Sequence, residues 1–235
     1  ISGVCYKASG QLDAAVESFE KALAIKPDYI EACYNLGIVF MDLGQLDEAV
    51  KSYEKALTLK PNYAKAHYNL GIAFKKLGQL DAAVECYEKA IAIQPGYTEA
   101  HNNLGNALKD LGQLDAAIEY YKKALSFKPD YAEAHNNLGI AFKQLGQLDA
   151  AIKSYERLLA LKPDDAETHN NLGIVYMQLN QTDVALKCYK KALALKPDYA
   201  DAHANRGNVM KRLKHMDEAL ASYKSAIALD PELVF

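Results

Sequence analysis

Tryptophan is absent from the 235 residues and cysteine is sparse, with four positions, Cys5, Cys33, Cys86 and Cys188. None of the four forms a C-x-x-C pair, which argues against a disulfide framework or a zinc knuckle and leaves them as small apolar filler with reduced thiols. Long hydrophobic runs are missing too. No stretch approaches the roughly 18 apolar residues of a spanning helix, and Ile1-Ser2-Gly3 has neither a basic n-region nor an apolar h-region. A cytoplasmic chain with no membrane partner is the expectation. Neither sign of charge dominates: 27 Lys and Arg stand against 30 Asp and Glu, a formal net charge of −3. No bulk positive field gathers phosphates, so nucleic acid is not an expected partner. There is no glycine-rich phosphate loop and no convergent Ser, His and Asp set, so neither catalysis nor a cofactor is expected. What remains is an ordinary folding composition, 50% hydrophobic and 24% charged.

Proline is also scarce, but its placement organises the chain. The seven prolines fall at 27, 61, 95, 129, 163, 197 and 231, each 34 residues after the last. A fixed period of that length points to stacked helix pairs. The unit is clearest in residues 132–165, AEAHNNLGIAFKQLGQLDAAIKSYERLLALKPDD. Ala134, Leu138, Phe142 and Leu145 recur at the spacing of one helical stripe. After a break at Gly146, which can take the left-handed conformation that ends a helix, Ala151, Tyr155, Leu158 and Leu161 make a second stripe. Alternating polar and apolar stretches are missing, so no strands are expected.

Start signals recur as well. Pro129-Asp130-Tyr131-Ala132-Glu133 reads as a helix stop followed by an Asp N-cap and a capping-box Glu. Every second helix carries an acid in its first turn, Asp13, Asp47, Asp81, Asp115, Asp149, Asp183 and Asp217, which suits the helix dipole.

Leu138-Gly139, Phe142, Ala151, Tyr155 and Pro163 stand at the L-G-x2-Y, A-x3-F and P spacing of the tetratricopeptide repeat (TPR), and the chain resembles that family over nearly its whole length. Where the family pattern often has Trp, this sequence has Cys33, His67, His101, His135, His169 and His203. The resemblance implies an all-α right-handed superhelix, an α-solenoid of stacked antiparallel helix pairs. It divides into a partial repeat at 1–29, full repeats at 30–63, 64–97, 98–131, 132–165, 166–199 and 200–233, and the start of a further unit at 234–235. In proteins similar to it, the first-helix face lines a concave groove that binds partners, so a non-catalytic protein-interaction scaffold is implied.

Columns along that face define the candidate site. One is unbroken Asn: Asn35, Asn69, Asn103, Asn137, Asn171 and Asn205. An amide offers donor and acceptor together, which suits an extended peptide backbone whatever its side chains. Asn is a poor mid-helix residue, so its recurrence asks for an offsetting role, either peptide binding or polar packing at the edge of each helix pair. The column lies about 100° from the core Leu, which places Asn103, Asn137 and Asn171 at the groove edge, aided by Asn102, Asn136 and Asn170. A neighbouring column is apolar, Ile38, Ile72, Ile140 and Ile174, with Asn106 and Asn208 interspersed, and Tyr34 and Tyr68 sit four residues before two of them. These side chains either anchor apolar groups of a ligand or touch the adjacent repeat. Lys75, Lys109, Lys143 and Lys211 form a basic column on the same face. A parallel acidic column, Glu31, Glu99, Glu133, Glu167 and Asp201, is interrupted by Lys65. Relatives that clamp a C-terminal carboxylate hold Lys and Arg where Glu and Asn stand here, and only Lys65 fits that role.

The histidines are dispersed along the stack, one per repeat, and read as packing rather than as metal ligands, which must converge on one ion. The column Phe19, Tyr53, Tyr87, Tyr121, Tyr155, Tyr189 and Tyr223 falls in the second-helix stripe and reads as interhelical packing. Solenoid ends normally carry a polar capping face, whereas this chain opens within a helix and closes on Leu233-Val234-Phe235, so head-to-tail self-association is expected. The string A-E-A-H-N-N-L-G and the Asn column are also similar to the repeat region of protein O-GlcNAc transferases, which implies an alternative role in substrate recognition for a larger glycosyltransferase whose catalytic domain is not in this sequence.

Overall fold

A computed structural model describes residues 2–232, and helix accounts for all of their regular structure. The hydrophobic tail Leu233-Val234-Phe235 lies outside the described residues. Residues 1–129 and 130–235 form two compact units. The first contains α1 (Ser2–Ala8), α2 (Leu12–Ile25), α3 (Ile30–Asp42), α4 (Leu46–Leu59), α5 (Ala64–Lys76), α6 (Leu80–Ile93), α7 (Thr98–Asp110) and α8 (Leu114–Phe127). The second contains α9 (Ala132–Gln144), α10 (Leu148–Leu161), α11 (Ala166–Gln178), α12 (Thr182–Leu195), α13 (Ala200–Arg212) and α14 (Met216–Leu229). Odd-numbered helices are the first and even-numbered the second member of each 34-residue pair, as the proline period predicts.

Within each unit every helix packs on the next in sequence, and first helices also touch one another, α3 on α5, α5 on α7 and α11 on α13. Each unit is therefore an α-solenoid of helix pairs. All buried surface comes from neighbours near in sequence, the arrangement that gives repeat arrays their near-additive stability.

Turn chemistry sets the helix lengths. Gly44 adopts φ +73°; its N–H donates to the Met41 carbonyl at 3.2 Å and the Gln45 N–H to the Phe40 carbonyl at 2.9 Å. That double bond pattern is a Schellman end, and the left-handed residue it needs is Gly in five units. Asn180 and Lys214 hold the same conformation in the last two, at φ +60° and +63°. Second helices stop where the residue before each Pro is pushed to extended backbone, as at Lys26 before Pro27.

The capping-box expectation is corrected. The first helices begin one residue later than that reading requires, so the N-cap is Tyr29, Tyr63, Tyr97, Tyr131 or Tyr199, none with a side-chain cap. Asp130 and its counterparts stand in the preceding turn instead. Only α11 has a side-chain cap among these helices, where Asp165 accepts from the Thr168 N–H at 2.9 Å. Tyr63 and Tyr97 put their rings against Tyr34 and Tyr68 of the preceding repeat, an energy the capping rule does not count.

The core confirms the two stripes for the most part. Ala134, Leu138, Ala151, Tyr155 and Leu158 are buried, but Leu161 is exposed at the helix end. The tyrosine column is the spine of the packing. Tyr155 is fully buried, and its ring lies so close to Gly139 that a Cβ there would stand 2.6 Å from the ring. The same contact pairs Tyr53 with Gly37 and Tyr121 with Gly105. Cys33 and Cys86 are buried and Cys5 is exposed, all as free thiols. Burial pushes the Cys86 thiol up to about 11, so it is inert at neutral pH.

Candidate functional site

The Asn column is built into the contacts between repeats. In the first unit Asn69 Nδ2 donates to Tyr34 Oη and Asn103 Nδ2 to Tyr68 Oη, both at 3.0 Å. In the second, Asn205 Nδ2 donates to Asn170 Oδ1 at 3.0 Å, while Asn170 donates to Tyr199 Oη at 3.5 Å. Each Asn therefore reaches back 35 residues to the position just before the Asn of the preceding repeat. Tyr34 and Tyr68 are held in turn by ring contacts to the N-cap tyrosines of the following repeat, Tyr63 at 4.9 Å and Tyr97 at 4.8 Å.

This corrects the expectation that the amides stand at an open groove edge. Asn102, Asn137 and Asn170 are buried. Packing of first helix on first helix turns this side of the column inward, which a helical wheel drawn for one repeat does not show. The column is not uniform, however. Asn35, Asn136 and Asn171 are half-buried, and their side-chain amides make no hydrogen bond among the described residues. Those three retain both donor and acceptor for a ligand.

Around Asn136 the second unit opens a cavity of about 300 Å³ lined by Glu133, Lys162, Asp165 and Glu167 among others. A second cavity of about 250 Å³ is lined by Ile174, Met177, Gln178, Tyr189, Asn205 and Asn208. It combines an apolar floor with amides, the composition of a side-chain pocket. Ile38, Ile72, Ile140 and Ile174 are all half-buried, and Ile38, Ile140 and Ile174 pack against the buried clusters of adjacent helices.

Where that column carries Asn instead of Ile, it serves the tyrosine spine. Tyr121 Oη donates to Asn106 Oδ1 and Tyr223 Oη to Asn208 Oδ1, each at 2.8 Å. Tyr87 and Tyr155, whose repeats have Ile, keep a buried hydroxyl with no hydrogen-bond partner.

The lysines divide likewise. Lys75 pairs with Asp110 at 3.1 Å, and Lys109 lies 3.9 Å from the same carboxylate. Lys143 has no ion pair among the described residues, and burial lowers its pKa from the ordinary lysine value. The histidines are stapled locally. Nε2 of His67, His101, His169 and His203 lies 2.8 to 3.0 Å from the carbonyl of the proline six residues earlier. Each holds the inter-repeat turn, and no cluster of three metal-ligating side chains occurs among the described residues.

Reading columns repeat by repeat missed Tyr63, Tyr97, Asp110 and Met177. The available signal was the 35-residue offset: each Asn from Asn69 onward has Tyr34, Tyr68 or another Asn just that far upstream, and Asp110 stands the same distance after Lys75.

Comparisons agree with this geometry. A family model described as TPR repeat matches residues 3–44, 39–78, 105–146, 141–180 and 175–214, and others described as tetratricopeptide repeat match 64–97, 86–119 and 200–233. Among solved structures, the chain is similar to MamA, at 31% identity over 70% of this chain and 96% of that one, with a TM-score of 0.67. It is similar to YrrB, described as a TPR protein with an unusual peptide-binding site, at 25% identity over 80% and 96% of the two chains and a TM-score of 0.69. A tetratricopeptide repeat protein from Parabacteroides merdae shares the fold at 21% identity over 97% and 91% of the two chains, with a TM-score of 0.74. No curated protein matches the chain. With its repeats matched from residue 3 to residue 233 and an aromatic ring pressed on a first-helix glycine in each pair, Phe19 on Gly3 in the first and a tyrosine in the others, the chain belongs to the tetratricopeptide repeat family.

Proposed function

We propose that the chain is a protein-interaction scaffold that holds an extended partner segment along its first-helix face, without catalysis. The observation that carries this reading is the pair of uncommitted amides in the second unit, Asn171 of the Asn column and Asn136 of the column beside it, whose neighbours Asn137, Asn170 and Asn205 are buried or engaged between repeats. Half-buried amides with free donors and acceptors lower the free energy of a bound backbone without reading its sequence. The cavity at Ile174 and Met177 takes an aliphatic side chain of that segment, and Lys143, desolvated and unpaired, takes a carboxylate. The committed members, Asn69, Asn103, Asn170 and Asn205, with Tyr34 and Tyr68, shape the face rather than provide its free hydrogen-bonding groups. Lys75 and Lys109, turned to Asp110, do the same. The peptide-binding site in the description of YrrB supports a peptide ligand.

The test uses a decapeptide selected on the immobilised chain from a randomised library. N-methylation of its central backbone amides is expected to weaken binding about tenfold or more, because each lost hydrogen bond is worth about 0.5–1.5 kcal/mol. Single alanine substitutions at most of its side chains are expected to have smaller effects. A peptide that tolerates N-methylation and fails on alanine substitution contradicts backbone recognition.

A second reading, a substrate-recognition region of a larger glycosyltransferase similar to O-GlcNAc transferases, rests on the same Asn column. A glycosyltransferase domain encoded downstream in the same reading frame is its test.

A further inference from the structure

A second candidate site lies at the corner between the first two full repeats, and it shares no residue with the amide columns. A cavity of about 370 Å³ is lined by Leu57, Pro61, His67, Lys89 and Ile93, among others. A neighbouring one of about 430 Å³ is lined by Tyr63, Lys65 and Gln94, and the two share Asn62 and Ile93. Both exceed the lower end, about 300 Å³, of small-ligand pockets.

The next repeat shows what chemistry such a corner accepts. Thirty-four residues on, His67 becomes His101, Asn62 becomes Gly96 and Ile93 becomes Phe127. There the Phe127 ring stacks on the His101 imidazole, centroids 5.5 Å apart and planes 23° apart, and Tyr120 lies on the same imidazole at 6.0 Å. A Cβ at Gly96 would stand 3.7 Å from this ring, an ordinary contact, so the Asn62 of the first corner does not by itself exclude a ring there. At His67 the smaller Ile93 and Cys86 replace these two aromatics, so the imidazole keeps its turn bond to Pro61 at 2.9 Å but has no aromatic ring contact among the described residues.

Charge distinguishes this corner from its counterparts. Lys65 stands where five other repeats have Glu31, Glu99, Glu133, Glu167 or Asp201. It is exposed and has no ion pair among the described residues. The linings of the two cavities contain Lys65 and Lys89 and no carboxylate; Glu85 pairs with Lys89 at 3.7 Å on the exposed surface, and Glu31 lies near enough to Tyr63 to raise the pKa of its hydroxyl. Lys60 adds a third cation, over the Tyr63 ring at 4.8 Å.

We propose that the Pro61–His67 corner is a docking site for a protein segment that presents one aromatic side chain flanked by carboxylates. The aromatic ring lies over His67 beside Ile93, as Phe127 lies over His101, and the carboxylates meet Lys65 and Lys89. An aromatic face on an imidazole in a half-desolvated corner adds to the apolar area removed from water, and the lysines select against basic flanks.

The probe is a capped pentapeptide, Asp-Asp-Phe-Asp-Asp, titrated into the full chain while backbone amide NMR signals are followed. Saturable shifts confined to residues 62–67 and 89–94 are expected, weakening as salt screens the lysines. The variant Ile93→Phe copies the neighbouring repeat, closes the corner with its own ring and is expected to lower affinity about tenfold or more while melting as the parent does. Lys65→Glu, an exposed change that restores the acid of the other repeats, is expected to weaken binding by a similar factor. It decides the matter should Ile93→Phe fail to fold. Alanine in place of the peptide's Phe should abolish the shifts. Replacing Asn136 and Asn171 by Ala should leave them unchanged, which keeps this site separate from the first-helix face. Absence of saturable shifts, an alanine peptide that binds equally, or a Lys65→Glu chain that binds as tightly as the parent overturns the proposal.

Discussion

At the residue scale, two buried tyrosines that each press on a first-helix glycine differ in the hydrogen bond of their hydroxyl. Tyr121 gives its hydroxyl proton to Asn106, whereas the Tyr87 hydroxyl is buried without a partner. An orphaned buried hydroxyl costs its desolvation without return. Tyr87→Phe is therefore expected to leave stability unchanged or raise it, and Tyr121→Phe to lower it by about 0.5–1.5 kcal/mol. Urea melts of both variants check this, and equal losses would contradict it. Lys143 offers a pH-dependent counterpart. Its folded pKa is lowered by burial, so the folded state resists the charged form. That penalty is present at neutral pH and fades as pH rises towards the ordinary lysine value of about 10.4, where the unfolded chain also loses the proton. Lys143→Met, the residue type of Met41 and Met177 in the same column, is expected to raise the melting temperature at pH 7 and to lose that advantage near pH 10. A gain independent of pH would assign it to packing alone.

At the element scale the close approach of second helix to first sets the repeat geometry. Gly139→Ala places a methyl against the Tyr155 ring, itself fully buried, and either the ring or α9 must shift. Overpacking of this kind costs about 1–3 kcal/mol. Because neighbours in a solenoid share interfaces, the loss is expected to appear first as faster amide exchange in α9 and α10, with the remote α14 little changed. Uniform exchange across the second unit would contradict that locality. The helix pairs, the Gly turns and the packing role of the tyrosine column were legible in the sequence, because each recurs at a fixed 34-residue interval; the glycine beneath each tyrosine ring was not, because the contact joins two columns. The N-caps were not, since Tyr63 and Tyr97 are placed by ring packing on Tyr34 and Tyr68 of the preceding repeat, an interaction that capping patterns do not encode. The amide contacts were half legible: the column was visible, its 35-residue partner was not.

For the whole molecule, a regular scaffold carries irregular chemistry. The positions that repeat without exception hold the fold, and those that vary, such as Lys65, Asn106, Lys143 and Met177, give each stretch of surface its own preference. The central claim is that the free amides of the two adjacent Asn columns, Asn136 and Asn171, bind a partner's backbone while the committed amides bind a neighbouring repeat. The most direct test is calorimetric titration of the library-selected decapeptide against the double variant Asn136→Ala, Asn171→Ala, with a thermal melt of the same sample. Neither amide has an intramolecular bond to lose. Affinity is expected to fall about tenfold or more, two lost contacts of about 0.5–1.5 kcal/mol each, with the melting temperature unchanged. Unchanged affinity, or a melting temperature that falls together with affinity, would contradict the account.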